Sequence, residues 1–186
     1  LLACFILPAS AQNSWGIDVG GGLFSKSLSR DARFSLGGYA GGMYDVHVKN
    51  SWYVQPQLLF TYEEFRSKTR LGTDSFFSKF NLELPILASY NVALNNKWNL
   101  RINAGPYLSY AMFGRDKSID YAYGNGMHSS LGWWHQDFPD HFTYGGRAGV
   151  SLESEHFIYT IDGKCSLRKR PFGRSVSLSA GVGYKF

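Results

Sequence analysis

The side chains best equipped for chemistry crowd into one stretch, residues 113–141. His128, His135 and His141 lie there with Asp116, Asp120, Asp137 and Asp140, a set able to ligate a divalent metal. Histidine spacings of seven and six residues match no common zinc-ligand pattern, so a chance cluster in a polar loop is the expectation, with no metal and no cofactor. His128-Ser129-Ser130 sets a base beside a hydroxyl, the minimum for a hydrolase or acyltransferase. Adjacent residues rarely form such a pair themselves, and no catalytic residue is assigned. Tyr121, Tyr123, Trp133, Trp134 and Phe138 complete the stretch. Such rings suit the capture of a protein or glycan, and they suit packing over neighbouring structure equally well.

Two further sets carry charge. Arg168, Lys169, Arg170 and Arg174 form a basic cluster, joined by Arg66, Lys68 and Arg70 and by Arg30 and Arg33. Phosphate or carboxylate groups are its natural partners. The other set is dispersed: Asp18, Asp45, Glu83 and Asp162 against Arg101, Arg147, Lys164 and Lys185, four acids to four bases. A balanced set of this kind can form a static polar plug or a gated path for protons and ions. The plug is the expected role, because it requires nothing beyond mutual pairing.

What must position these groups is set by composition and patterning. The chain has 186 residues, of which 17% are aromatic, 18% are charged and 21 are glycine. One domain is expected, with enough apolar content (44%) to exclude a disordered chain. Two cysteines, Cys4 and Cys165, leave no room for a disulfide framework. Residues 1–11, LLACFILPASA, end in Ala9-Ser10-Ala11 and resemble the apolar core and cleavage site of a secretory signal peptide with its first residues missing. Cleavage after Ala11 would leave 12–186 as a single mature domain. A lipid-anchored Cys4 is the alternative, disfavoured by the apolar Phe5-Ile6-Leu7 after it. Export makes nucleic acid an implausible partner for the basic cluster.

Beyond residue 12 the period is two, not 3.6. Strands are predicted at 15–24, 36–48, 52–62, 80–92, 98–112, 142–152, 157–167 and 176–186. One face of each is apolar, as in Trp15, Ile17, Val19 and Leu23 or Leu100, Ile102, Leu108 and Tyr110, and it carries no charged residue. The opposite face holds the eight dispersed charges with Gln55, Gln57, Asn81, Asn91 and Asn103. Cys165 falls on the apolar face as an inert small residue. Apolar outside and charged inside is the reverse of a soluble lipocalin-type barrel and fits a sheet closed in lipid. Links after even-numbered strands are short and those after odd-numbered strands long, at 25–35, 63–79, 113–141 and 168–175. Trp15, Trp52 and Trp98 open odd-numbered strands, and Tyr184 and Phe186 close the last, as an aromatic girdle would. The prediction is an all-β, eight-stranded antiparallel up-and-down transmembrane β-barrel, filled rather than porous.

Leu82-Glu83-Leu84-Pro85-Ile86-Leu87 and Asn103-Ala104-Gly105-Pro106-Tyr107-Leu108-Ser109-Tyr110 resemble paired strand motifs of the PorT-like small outer-membrane β-barrel family of Bacteroidetes. The closing Ala180-x-Val182-x-Tyr184-x-Phe186 is similar to the signal read by the outer-membrane barrel-assembly machinery. The resemblance implies an integral protein of a Gram-negative outer membrane. Its motifs specify strands rather than chemistry, and the family's namesake takes part in protein secretion. The resulting expectation is a non-enzymatic barrel in a structural or interaction role, associated with a secretion or envelope assembly. A surface receptor or adhesin acting through 113–141 is the alternative, and a lipid A-modifying enzyme the third. Expected contacts are outer-membrane lipid and lipopolysaccharide, the latter at Arg168, Lys169, Arg170 and Arg174.

Overall fold

A computed structural model of the chain describes residues 13–25, 34–68, 73–120, 128–130, 141–167 and 175–186, with the side chains of 65–68, 73–77, 115–120 and 128–130 excepted. The expected signal segment 1–11 lies outside the described residues. The described residues form nine strands: β1 (Ser14–Ser25), β2 (Ser35–Lys49), β3 (Trp52–Lys68), β4 (Thr73–Ala93), β5 (Asn99–Asp120), β6 (His128–Ser130), β7 (Phe142–Glu153), β8 (Phe157–Ser166) and β9 (Val176–Lys185). Eight of them pair antiparallel with their neighbours, β5 with β7 and β9 with β1, so the sheet closes on itself. The seam runs from Gly16↔Lys185 to Ser25↔Val176, and the Phe186 amide donates to the Trp15 carbonyl at 3.0 Å. A closed barrel is one of only two ways to satisfy backbone groups in hydrocarbon.

Alternation along each strand sorts side chains to two faces. Outward, Ile17, Val19, Leu84, Ile102, Val150 and Ile161 are all exposed, while Asp18, Glu83, Arg101, Asn103 and Asp162 between them are buried in the lumen. Two aromatic belts bound the apolar band. At the end that carries the short turns, the expected periplasmic one, Trp15 stacks on Phe186 with centroids 4.1 Å apart, Trp52 meets Tyr90 at 5.0 Å, and Trp98 meets Tyr159 at 6.3 Å. At the opposite end Tyr62, Phe80 and Phe113 form a chain with 4.8 and 4.9 Å spacings, beside Tyr110 and Phe142 at 5.0 Å. Rings with an apolar body and polar edge sit best at that depth.

Short periplasmic turns follow local chemistry. Asn50, with φ of 54°, takes the left-handed position between β2 and β3, which Asn tolerates better than most residues. Between β4 and β5 the Asn95 side chain accepts from the Lys97 and Trp98 amides, both at 2.9 Å. The two family-like motifs lie side by side on β4 and β5, where Pro85 faces Tyr107 and Ala88 faces Ala104. A Cβ on Gly105 would come within 2.0 Å of the Ile86 carbonyl oxygen, so only glycine fits this approach.

The structure corrects the expected loops on the outer side. Strands β3 and β4 do not stop near 62 and 80; their ladder continues from Glu63↔Lys79 to Lys68↔Asp74. Strand β5 runs on to Asp120, and β6 pairs with it at Asp116↔Ser130, Lys117↔Ser129 and Ser118↔His128. Stretches 63–79 and 113–141 are therefore partly strand. Past the aromatic belt nothing requires an apolar outer face, so the period-2 signal fades while the hydrogen-bonded ladder persists.

Charge on the lipid face should be costly only at membrane depth. Ile161→Arg, on the outer face midway along β8, is expected to destabilise the barrel by about 2–4 kcal/mol. Leu94→Arg, in the exposed periplasmic turn, should change stability by less than about 0.5 kcal/mol. Urea unfolding in lipid vesicles, followed by tryptophan fluorescence, measures both.

Candidate functional site

Polar chemistry among the described residues concentrates in the lumen, in three levels. At the periplasmic level Arg101, buried on β5, places Nη1 2.7 Å from Asp45 Oδ2 and Nη2 2.8 Å from Glu153 Oε2. Lys185 bridges the same two carboxylates, 2.6 Å from Asp45 and in direct contact with Glu153. Arg101 Nε donates to Asn91 at 2.8 Å, and the guanidinium lies 5.1 Å from the Tyr53 ring centre. Every charge here has an opposite charge in contact.

At the outer level Lys164 Nζ lies 2.8 Å from Glu63 and 2.6 Å from Glu83, and Lys79 takes the second oxygen of Glu63 at 2.7 Å. Phe24 and Tyr107 place their rings 5.5 Å from the Lys164 ammonium, on whose charge an aromatic face acts favourably. Again two acids meet two bases.

The middle level differs. Arg147 grips Asp162 with two hydrogen bonds, Nε to Oδ1 and Nη2 to Oδ2, both 2.9 Å, a fork-to-fork geometry that only arginine provides. Ser179 adds a donor to Asp162 at 3.1 Å, and Arg147 Nη1 is 3.6 Å from Glu83, linking the middle to the outer level. Tyr39 lies 5.4 Å from the Arg147 guanidinium. Its ring occupies a slot made by two glycines: a Cβ on Gly20 would fall 2.5 Å from the ring, and one on Gly181 would fall 2.1 Å from its hydroxyl. Asp18 is the second carboxylate of this level and is 5% exposed.

All seven predicted interior residues, Asp18, Asp45, Glu83, Arg101, Arg147, Asp162 and Lys164, face the lumen with Lys185. Glu63, Lys79 and Glu153 join them although sequence reasoning left them in loops and a turn. The expected four-to-four balance is therefore corrected. Among the described residues, Asp18, Asp45, Glu63, Glu83, Glu153 and Asp162 make six carboxylates against the five cations Lys79, Arg101, Arg147, Lys164 and Lys185. Apolar lumen residues were missed too, namely Phe24, Tyr39, Met43, Leu59, Leu87, Tyr107 and Ile158. The inward register of their strands was the available signal.

The predicted binding rings Tyr121, Tyr123, Trp133, Trp134 and Phe138, and the basic residues Arg168, Lys169, Arg170 and Arg174, lie outside the described residues. His128 and Ser129 have a described backbone in β6, and His141 is half-buried with Nδ1 3.3 Å from the Ala111 carbonyl. Cys165 is a free, half-buried thiol. No group of three or more His, Cys, Asp or Glu suited to a metal occurs among the described residues.

Residues 10–185 match the model of the outer membrane protein beta-barrel domain family. The chain belongs to that family. It is an integral barrel of a Gram-negative outer membrane. No curated protein matches its sequence. Among solved structures it is similar to the outer membrane enzyme PagL, at 12% identity and a TM-score of 0.57, covering 90% of this chain and 97% of that one. Ail, the attachment invasion locus protein of Yersinia pestis, gives 14% identity and 0.46 over 94% and 99%. Neisserial surface protein A gives 15% and 0.48 over 94% and 97%. At such identities the PagL likeness shows the fold alone.

Breaking one buried partnership should reveal what the lumen contributes. Arg147→Met leaves Asp162 buried without its fork and is expected to cost about 3–5 kcal/mol of barrel stability. Arg147→Met combined with Asp162→Leu should recover most of that loss, because the uncompensated carboxylate is gone. Equilibrium urea unfolding of the two variants beside the wild-type barrel gives the comparison.

Proposed function

We propose that this family member is a non-enzymatic barrel in a structural or interaction role, working from its outer face as part of a secretion or envelope assembly. The observation that carries this reading is where the ordered chain is invested. Strands β3, β4 and β5 extend past the outer aromatic belt, to Lys68, Thr73 and Asp120, and β6 adds to the free side of β5. A membrane anchor alone needs only the ~9–11 residues of a tilted spanning strand, whereas β4 has 21 residues and β5 has 22. The added length makes a projecting sheet, and a projecting sheet is a platform for partners. The lumen supports the same view from the other side, since ion pairs at three levels and inward aromatic rings occupy most of it.

The PorT-like affiliation belongs to this proposal. It rests on the Leu82–Leu87 and Asn103–Tyr110 motifs, which lie on adjacent strands with Pro85 opposite Tyr107. A surface receptor or adhesin is the second reading, favoured by the pairing of β6 within 113–141, which ties part of that stretch to the projecting sheet.

Crosslinking in intact cells, followed by solubilisation and mass spectrometry, tests the assembly reading. A stoichiometric envelope or secretion component should co-purify with the barrel; recovery of the barrel alone contradicts it. Trp133→Ala with Trp134→Ala should lower recovery of a partner held by 113–141 by about tenfold or more, as loss of anchoring rings does. Unchanged recovery would move the contact elsewhere on the sheet.

A further inference from the structure

We infer that the outer wall of the barrel binds one zwitterionic phospholipid, with an acyl chain laid in an oblique groove and the headgroup at the rim that carries the short turns. The groove has a volume of about 660 Å³ and an almost wholly apolar lining, within the ~300–1,000 Å³ range of small-ligand sites. Its lining crosses five neighbouring strands, at Leu100 on β5, Leu152 on β7, Tyr159 on β8, Val182 on β9 and Val19 on β1. Depth grows along that path. Counted from the short-turn ends of the strands, at Asn99, Glu153, Phe157, Lys185 and Ser14, these residues lie one, one, two, three and five positions inside. With strands ~4.8 Å apart, the path runs on the order of 19 Å while it climbs from the rim toward the middle of the apolar band. That is the course of a lipid tail entering from headgroup depth.

The groove exists because its lining is small where the wall should stand highest. Ala180, exposed on the lipid face of β9, lines it and pairs with Gly21 of β1 and Ile161 of β8. The interior does not require that glycine. A Cβ on Gly21 would meet only the Gly37 carbonyl oxygen, at 3.5 Å, whereas one on its inward neighbours Gly20 and Gly22 would fall 2.5 and 2.3 Å from carbonyl oxygens. The low wall therefore serves the lipid side. Lipid tails are as apolar as the wall itself, so the gain from filling the groove is close packing. A second barrel presents a convex wall that would bridge the groove, and a flexible acyl chain can follow it.

Charge at the mouth selects the headgroup. The last pair of the β5–β7 ladder is Asn99↔Glu153, and two residues beyond it stand Lys97 on one turn and Glu155 on the other, both exposed. Neither has an ion-pair partner among the described residues. Both turns are fixed: the Asn95 side chain accepts from the Lys97 amide at 2.9 Å, and the Ser154 amide donates to the Phe157 carbonyl at 2.7 Å. The neighbouring charges are committed elsewhere, Glu153 to Arg101 and Lys185, while His156 stacks on Tyr184 at 5.7 Å. Trp98, next to Lys97, lies 6.3 Å from Tyr159 of the groove, and such a ring pair marks headgroup depth. A phosphate suits Lys97 and an ammonium suits Glu155. Phosphatidylethanolamine carries both, whereas an anionic headgroup such as phosphatidylglycerol answers only Lys97.

Native mass spectrometry of the full barrel, refolded in micelles holding equal amounts of phosphatidylethanolamine and phosphatidylglycerol, supplies the test. A one-to-one lipid complex should dominate, with phosphatidylethanolamine favoured about threefold, the order expected of an exposed charge contact. Ala180→Phe, which fills the groove, should lower lipid occupancy by about tenfold. Lys97→Gln with Glu155→Gln should abolish the preference between the two lipids. Absence of a one-to-one complex, or equal binding of both lipids by the wild type, would overturn the inference. So would occupancy unchanged in Ala180→Phe, which would mean surrounding lipid only, or a wild-type dimer that Ala180→Phe dissociates, which would assign the groove to a second copy. Should Ala180→Phe fail to refold, the double variant in the exposed turns decides. Loss of the preference supports the site, and its retention refutes it.

Discussion

Everything in this molecule follows from the absence of water in the hydrocarbon layer. A strand edge left open there would expose a row of unpaired amides and carbonyls, so the sheet must close, and β1 must find β9. Closure fixes two surfaces at once. The outer one may carry no charge at depth, which explains the uninterrupted apolar band between the aromatic belts. The inner one is cut off from solvent and must satisfy its own polar groups, which explains the three levels of ion pairs.

An eight-stranded barrel has little room to do so, and its packing shows how space is made. Glycine appears opposite the largest inward rings: Gly20 and Gly181 under Tyr39, and Gly145 where a Cβ would meet Tyr107 at 2.8 Å. The rings in turn flank Arg147 and Lys164, so that the cations are desolvated against aromatic faces as well as carboxylates. Removing one member leaves a buried charge exposed to nothing, which makes the network interdependent. Such a filled interior suits a rigid support for the projecting strands better than a conduit.

Much of this was legible in the sequence, for a physical reason. Lipid excludes charge whatever the detail of packing, so Ile17, Ile102, Ile161 and their neighbours announce their face by chemistry alone. The inward charges were legible as the complement of that face. Glu63 and Lys79 were not, because they lie where strands leave the membrane and the outer face no longer has to be apolar. Glu153 was hidden at the edge of a turn. Tyr39, Met43 and Tyr107 were hidden differently: sorting by polarity assigns rings and sulfur to lipid, and only their register and the glycines across the lumen place them inside. The β5–β6 pairing joins Asp116, Lys117 and Ser118 to Ser130, Ser129 and His128, all polar by type, so pattern carries no signal there.

On the proposed function the lumen is a static support, held by ion pairs at three levels, and partners bind outside it. Single-channel recording of the refolded wild-type barrel in planar bilayers tests this most directly. No conductance steps are expected at neutral pH, because Arg101, Arg147 and Lys164 are held across the lumen by carboxylates at all three levels. Reproducible steps from the folded, monodisperse barrel would mean that the network opens, and the lumen would then have to be read as a pathway.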